Sequence, residues 1–383
     1  MKDLNRIYVD HAATTPMHPD VIEKMTQTMV NTYGNPSSIH FYGREARKII
    51  DEARAGIAQS IAARESEIIF TSGGTEADNY AIFGVAQAHQ NKGKHIITTV
   101  IEHHAVLHAC QELEKRGFDV TYLPVDKYGV ISLNDFQNAL RDDTILVTIM
   151  YGNNEVGSIQ PIAEIGEILK EHQAIFHSDA VQAFGIEKLN VQELKLDLLS
   201  VSAHKINGPK GIGFLYAKSG VKLAPHFFGG EQERKRRAGT ENVPAIAGFL
   251  EAVKLVQNEQ ESRNEQYKKY KEILVSTLKR NDVEFQLNSS LEGSLPHIIN
   301  ISFPGTNVEA MLVNLDLVGI AASSGSACTA GTVDPSHVLV AMYGKESDQI
   351  VNSIRFSFGI TNSEQQIEKV GEEIAKIVNR RGE

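Results

Sequence analysis

The sequence predicts an α/β protein with a mostly parallel, seven-stranded sheet and a second, smaller α+β domain. Between about residues 60 and 220, short apolar runs alternate with longer stretches whose apolar positions recur at three and four residues, the pattern of parallel strands covered by helices. A stretch without further proline follows Pro244 and is long enough to connect two domains. The 383 residues, 42% hydrophobic and 22% charged, can bury more than one core.

The elements follow in chain order. Strands are predicted at Glu67–Phe70, His95–Val100, Val120–Leu123, Ile145–Met150, Ala174–Ser178, Leu198–Ser202 and Gly213–Tyr216. Helical periodicity between them marks Glu76–Gln90, Ala105–Arg116 and Ile162–His172. A connecting helix follows from Pro244 to about Arg280, and strand-like runs at 297–303 and 353–359 with a last helix near Glu364–Asn379 predict the smaller domain.

Charge and composition exclude several classes of protein. The 38 Lys and Arg residues against 48 Asp and Glu give a formal net charge of −10, which argues against direct nucleic-acid binding. No stretch approaches the roughly 18 apolar residues of a membrane span, and the charged start MKDLNRIYVDHAATTP lacks the apolar core of a signal peptide. The two cysteines, Cys110 and Cys328, cannot form a disulfide framework. We therefore expect a cytoplasmic protein without membrane or nucleic-acid contacts.

Polar residues gather after the predicted strands, where open α/β sheets bind their ligands. In chain order they are Thr71 to Glu76, Glu102 to His104, Asn153 and Asn154, Asp179 with Gln182, and His204 with Lys205. Two glycines and Thr75 at a strand-to-helix turn can present N–H groups and a hydroxyl to a phosphate, although a tight turn with a helix cap has the same pattern. The turn matches neither a P-loop nor a GxGxxG site, which disfavours an NTPase or a nicotinamide dehydrogenase.

Lys205 is the candidate nucleophile among these residues. Burial lowers the pKa of a lysine, and the free amine is the form that makes a Schiff base; an ordinary exposed lysine is the alternative. Asp179, at a nearby strand end, is the type of residue that pairs with the protonated pyridine nitrogen of pyridoxal phosphate. His103, otherwise a core histidine, is then placed to lie over a cofactor ring.

The two cysteines have different expected roles. Cys110 lies on an apolar helical stripe and is predicted to be part of a core. Cys328 lies in a run of small residues, Ala321 to Thr332, which predicts a mobile loop with an accessible nucleophile; an incidental loop cysteine is the alternative. His104 and His108 are four residues apart, but no further ligand spacing accompanies them, so no metal site is predicted.

Motifs along nearly the whole chain resemble the pyridoxal-phosphate-dependent cysteine desulfurases of the NifS/IscS type. They are YVDHAATTP (8–16), GNPSSIH (34–40), TSGGTEADN (71–79), EHH (102–104), NNEVG (153–157), HSDAVQ (177–182), SAHKINGPKGIG (202–213), RAGTEN (237–242), SSGSACTAG (323–331) and RFSFG (355–359). The GSACT sequence resembles the class with a long, mobile cysteine loop. The resemblance implies the aspartate-aminotransferase-like fold (fold type I), a homodimer with shared active sites, a large cofactor-binding domain at 14–260, and a small domain at 1–13 and 261–383 that carries Cys328 and Arg355.

The resemblance also implies roles for individual residues. Lys205 resembles the Schiff-base lysine, Asp179 the partner of the pyridine nitrogen, and His103 the histidine that stacks on the ring. Further cofactor contacts are implied for Asn154 and Gln182 at the 3-oxygen, for Gly74, Thr75, Ser202 and His204 at the phosphate, and for Thr240 of the neighbouring subunit, also at the phosphate. Arg355 resembles the arginine that binds the substrate carboxylate, a task suited to a bidentate guanidinium.

The implied reaction removes sulfur from L-cysteine with pyridoxal 5′-phosphate and yields L-alanine. Lys205 and His103 transfer protons, and Cys328 attacks the substrate sulfur to form a persulfide, which an acceptor protein receives for tRNA thiolation or iron–sulfur cluster assembly. Relatives that supply iron–sulfur scaffolds commonly extend past the last helix, whereas this sequence ends at Glu383, so we expect a tRNA 2-thiouridylase as acceptor. The alternatives are an aminotransferase with an idle Cys328, a non-catalytic binding protein and a nucleotide-binding hydrolase.

Overall fold

A computed structural model describes residues 6–325 and 335–380, and the backbone alone of residues 328–329 and 332–333. Its strands are β1 (Ile7–Tyr8), β2 (Ile68–Thr71), β3 (His95–Thr99), β4 (Asp119–Leu123), β5 (Thr144–Thr148), β6 (Ile175–Asp179), β7 (Leu198–Ser202), β8 (Gly213–Ala217), β9 (Gln286–Leu287), β10 (Ile298–Ser302), β11 (Ile320–Ala321), β12 (Cys328–Thr329), β13 (Thr332–Val333) and β14 (Ser353–Ser357). Its α-helices are α1 (Pro19–Asn31), α2 (Phe41–Ser60), α3 (Gly74–His89), α4 (His104–Lys115), α5 (Leu133–Ala139), α6 (Ile162–Leu169), α7 (Gln232–Lys235), α8 (Val243–Arg280), α9 (Val308–Leu317), α10 (His337–Tyr343), α11 (Gln349–Asn352) and α12 (Glu364–Asn379).

The large sheet is the one that the sequence predicts. Within the described residues, seven strands are hydrogen-bonded in the order β2-β8-β7-β6-β5-β3-β4, and only β8 runs antiparallel to its neighbours. The predicted strand ends differ from the observed ones by at most two residues. The carboxyl ends of the parallel strands therefore lie along one edge of the sheet, and the loops that follow them face a common space.

Helices cover both faces of this sheet, so its central strands are buried on both sides. All residues of β3, β5 and β7 are buried. Neighbouring residues of one strand face opposite cores: Ile97 belongs to the core that contains α2 and the start of α8, whereas Ile96 belongs to the core that contains α3 and α4. This alternation follows from the two-residue repeat of a strand.

A second core lies beyond the sheet and contains β10, β14, α9, α12 and the end of α8. The 38-residue α8 connects the two cores, since Phe249 packs in the first and Leu274 in the second. The side chain of Asn242 caps the helix by accepting from the Ala245 N–H (3.2 Å). The predicted connecting helix is thus confirmed, while the division into domains at residues 14 and 260 stays a prediction. In the described part of the chain, no helix is long and apolar enough to cross a bilayer.

Candidate active site

A cavity of about 400 Å³ opens at the carboxyl ends of the parallel strands, between the large sheet and the second core. Its lining includes these residues predicted from the sequence: Gly74, Thr75, His103, Asn154, Asp179, Gln182, Ser202, His204, Lys205 and Arg355. Thr240 is exposed and is not part of this lining, so its expected contact with a neighbouring subunit stays a prediction. The strand ends and the distant Arg355 therefore meet at one place.

The turn before α3 is shaped to receive an anion. Gly73 has a φ of 153°, a conformation that favours glycine, and a Cβ on Gly74 would lie 2.8 Å from a methyl group of Val181. The Ncap residue of α3 is Gly73, which has no side chain that could cap the helix. The N–H groups of the first turn therefore remain available to a ligand. Thr75, Ser202 and His204 line the cavity around this turn. These features fit the phosphate group of pyridoxal phosphate.

Lys205 and Asp179 form the chemical centre of the cavity. Lys205 ends a short 3₁₀ turn after β7, and its Nζ donates to the carbonyl oxygens of Ala12 and Ala13 (2.8 Å to Ala13). Burial, and then the charge of Arg355, lower the pKa of Lys205 to about 8, although Asp179 acts in the opposite direction. A lysine with this pKa has a substantial neutral fraction near pH 7 and can react with an aldehyde.

Asp179 is the last residue of β6, and its Oδ1 accepts the N–H of Val181 (2.9 Å). Burial raises its pKa, while the Val181 hydrogen bond and the charge of Lys205 lower it. A buried carboxyl with this proton affinity suits a basic ring nitrogen, which would supply the compensating positive charge. The donor set of the cavity thus fits the aldehyde, the ring nitrogen and the phosphate of pyridoxal phosphate.

His103 is the Ncap residue of α4, and its Nδ1 accepts the N–H of Ala105 (3.1 Å). Burial, followed by the charges of Lys205 and three neighbouring histidines, lowers its pKa to about 4. The imidazole is therefore neutral near pH 7. Because Nδ1 accepts a hydrogen bond, the ring proton is on Nε2.

Arg355 lies in the middle of β14 and is nearly fully buried. Its Nη2 donates to Asp10 Oδ1 (2.7 Å) and its Nη1 to the backbone oxygen of Asn154 (2.9 Å). Its Nε has no hydrogen-bond partner among the described residues. The two contacts fix the plane of the guanidinium and leave donors for an anionic substrate group.

Sequence reasoning missed three acidic residues of the site. Asp78 and Glu155 line the cavity, and Asp10 binds Arg355. Each belongs to a motif quoted above, TSGGTEADN, NNEVG or YVDHAATTP, so a signal was present in the sequence. Burial raises the pKa of both Asp78 and Glu155, and Glu155 accepts a hydrogen bond from the Ser336 hydroxyl.

The two cysteines lie in different surroundings. Cys110 is fully buried between α4 and the sheet, and burial raises the pKa of its thiol, which confirms the prediction of a core residue. The backbone of Cys328 belongs to β12, paired with β13, and its side chain lies outside the described part of the structure. Its predicted role as nucleophile stays a prediction. Among the described residues, no group of three or more His, Cys, Asp or Glu side chains could hold a metal ion.

Comparisons with known proteins identify the family. The model of the aminotransferase class-V family matches residues 7–370. The chain is 60% identical to the relative named IscS 1 of Bacillus subtilis, over 98% of this chain and all of that relative. It is 48% identical to the cysteine desulfurase IscS of Methanosarcina thermophila, over 98% of this chain and 92% of the relative.

Solved structures agree with the sequence comparisons. A NifS-like protein superposes with a TM-score of 0.91 at 36% identity, covering 98% of this chain and 99% of that protein. The NifS-like protein of Rickettsia africae superposes with a TM-score of 0.87 at 34% identity and the same coverage. The chain therefore belongs to the aminotransferase class-V family and is a pyridoxal-phosphate-dependent cysteine desulfurase of the NifS/IscS type.

Proposed function

We propose that this desulfurase moves the sulfur of L-cysteine onto Cys328 and from there to an acceptor protein, with L-alanine as the second product. The observation that supports this best is the meeting of Lys205, Asp179 and Arg355 at one cavity. Pyridoxal phosphate, when bound, supplies an electron sink for the electrons released at the substrate α-carbon. The protein residues then bind, orient and exchange protons with the substrate.

The cofactor contacts proposed from the sequence have support in the cavity. The first turn of α3, Thr75 and His204 offer donors to the phosphate, and Asp179 offers a carboxylate to the ring nitrogen. His103 presents its ring at the cavity wall. Asn154 and Gln182 complete the set at the 3-oxygen; in this structure the Gln182 amide donates to Ala12 O (2.9 Å).

We assign the proton transfers to two side chains whose pKa values are lowered. Lys205, with a pKa of about 8, is the base that we assign to the substrate α-proton. His103 is neutral and carries its proton on Nε2. We assign this N–H to proton transfer at the substrate sulfur.

The Cys328 thiolate attacks the substrate sulfur. A bond forms between the two sulfur atoms, and the bond between the substrate sulfur and its β-carbon breaks. The electron pair stays with the carbon skeleton, which takes up protons and leaves as alanine. The overall step, cysteine plus a thiol giving alanine plus a persulfide, needs no external oxidant or reductant.

A homodimer is part of the proposal. Large aromatic side chains are exposed at Tyr33, Phe41 and Tyr42, where the rings of Tyr33 and Phe41 both contact Tyr42, and a contiguous exposed apolar patch marks a site of protein contact. A second copy of the chain would cover it and bring Thr240 to the neighbouring cavity.

We expect Arg355→Lys to raise KM for L-cysteine by about tenfold or more with a smaller effect on kcat, because an ammonium cannot bind a carboxylate through two N–H groups. KM is measured from alanine formation at increasing cysteine concentration. Arg280→Lys is the matched control, since Arg280 is exposed, lies outside the cavity lining and forms an ion pair with Glu368. An unchanged KM for Arg355→Lys would remove Arg355 from substrate binding.

We propose that the protein that accepts the persulfide sulfur is a tRNA 2-thiouridylase rather than an iron–sulfur scaffold. Either class must present a thiolate that attacks the outer sulfur of the persulfide. The enzyme is loaded with ³⁵S from labelled L-cysteine and mixed, in separate reactions, with equal amounts of the two proteins. We expect label on the thiouridylase; transfer to the scaffold alone would contradict this preference and leave the desulfurase reaction unaffected.

A further inference from the structure

We propose that Arg237 makes the anion site at the start of α3 selective for a phosphorylated cofactor, because it neutralises Glu76 beside that site. The inference rests on the phosphate site proposed above. Arg237 does not line the cavity and is therefore a positioning residue, which acts through Glu76.

Glu76 occupies the first turn of α3, directly after Thr75. Its Oε2 accepts the N–H of Ser72 (2.7 Å), which closes the turn between β2 and α3. The side chain is only 9% exposed, so water screens its charge poorly. An ionised carboxylate at this position would repel the phosphate that the same turn is built to receive.

Arg237 removes this conflict through a bidentate ion pair. Its Nε donates to Glu76 Oε1 (2.8 Å) and its Nη2 to Glu76 Oε2 (3.1 Å). Burial alone would raise the pKa of Glu76, but the hydrogen bonds from Arg237 and Ser72 outweigh it and lower the pKa. The carboxylate therefore keeps its charge and its contact with Ser72, while the guanidinium cancels that charge.

The segment before Arg237 has a fixed backbone conformation, unlike a basic loop that is only solvated. Glu233, Arg234 and Lys235 all have positive φ values of 47° to 68°, a conformation that costs free energy in each of them. The buried Glu233 holds this turn, since its carboxylate pairs with both Nη atoms of Arg54 (2.6 and 2.7 Å) and accepts the Phe70 N–H (3.0 Å). The basic run from Arg234 to Arg237 thus contains one arginine whose guanidinium contacts Glu76.

The test compares the dissociation constants of pyridoxal phosphate and of pyridoxal, which lacks the phosphate, measured by cofactor absorbance and fluorescence in the full-length protein. We expect Arg237→Gln to reduce the preference for pyridoxal phosphate about three- to tenfold, the effect of one uncompensated charge at a partly buried site. Lys235→Gln is the control, because Lys235 is exposed, is in the same basic run and forms its ion pair with Glu231 rather than with Glu76. Its preference should equal that of the unmodified protein.

Two further variants separate charge compensation from a merely structural effect. Glu76→Gln keeps an oxygen for the Ser72 N–H and should increase the preference for pyridoxal phosphate. The double variant Glu76→Gln/Arg237→Gln should return this preference to the level of the unmodified protein. Equal weakening of both ligands by Arg237→Gln, or no restoration in the double variant, would overturn the inference. If Thr75→Ala leaves the preference unchanged, the proposed phosphate site is itself wrong; if Thr75→Ala reduces it and Arg237→Gln does not, only the inference fails.

Discussion

The Lys205→Ala variant is expected to lose covalent attachment of the cofactor and at least about 10³-fold of its turnover, since no other amine replaces the nucleophile and base. Lys205 lies beside Asp179 in a cavity that lowers its pKa to about 8. Borohydride reduces the bond between the lysine and the cofactor aldehyde to a stable secondary amine, so after denaturation a phosphopyridoxyl group should remain on the unmodified protein and none on the variant. Lys210→Ala, an exposed lysine of the same segment, should behave as the unmodified protein. Cofactor retained on Lys205→Ala would assign the attachment to another lysine.

The lowered pKa of Lys205 also predicts the pH dependence of cofactor attachment. The neutral amine is the reactive form; its fraction rises with pH, reaches one half at the pKa of about 8 and levels off roughly one pH unit above it. The rate at which apoprotein attaches pyridoxal phosphate should follow this curve. A rate that continues to rise tenfold per pH unit up to pH ~10 would indicate a lysine with an ordinary pKa.

The Cys328→Ala variant is expected to release alanine from L-cysteine at least about 10³-fold more slowly, while it still binds cofactor and substrate, because the nucleophile that takes the sulfur is missing. Alanine is measured with a thiol reductant and without a 2-oxo acid. Cys110→Ala is the natural control, since Cys110 is buried away from the cavity; it should be less stable by about 1–2 kcal/mol with turnover retained.

The outcomes for Cys328→Ala also separate the alternatives. Equal alanine from the variant and the unmodified protein would indicate a lyase that releases sulfur without carrying it. An aminotransferase would need a 2-oxo acid and would be indifferent to the variant. Failure of the unmodified protein to release alanine would contradict the proposed reaction.

Much of the fold could be predicted because its physical signals are local. Parallel strands covered on both faces are short runs rich in apolar residues, and β5 and β7, which are buried along their whole length, contain no charged residue. The end of α6 differs from the prediction: the predicted helix extends to His172, whereas the observed one stops at Leu169. The chain turns there, and the His172 N–H donates to the Leu169 oxygen (2.9 Å). Pairing of β1 with β11 joins segments that are more than 300 residues apart, Ile7 with Ile320 and Tyr8 with Ala321, and has no local signal.

The site residues could likewise be predicted where their signals are local. Lys205 and Asp179 could be found because Asp179 ends β6 and Lys205 follows the end of β7 by three residues, and the topology brings such strand ends together. Arg355 was assigned only through the resemblance, since its partner Asp10 lies 345 residues away. The pair of Glu76 and Arg237 spans 161 residues and depends on a strained turn that composition does not reveal. Predicting it requires the packed structure, because ion pairs between distant segments follow from tertiary packing.

The most direct test of the central claim is mass spectrometry of the peptide that contains Cys328 after a single turnover with L-cysteine and no reductant. The account predicts that this peptide gains the mass of one sulfur atom, that a thiol reductant removes it, and that the Cys110 peptide gains nothing. Alanine formed in stoichiometric amount while the Cys328 peptide stays unmodified would contradict the account.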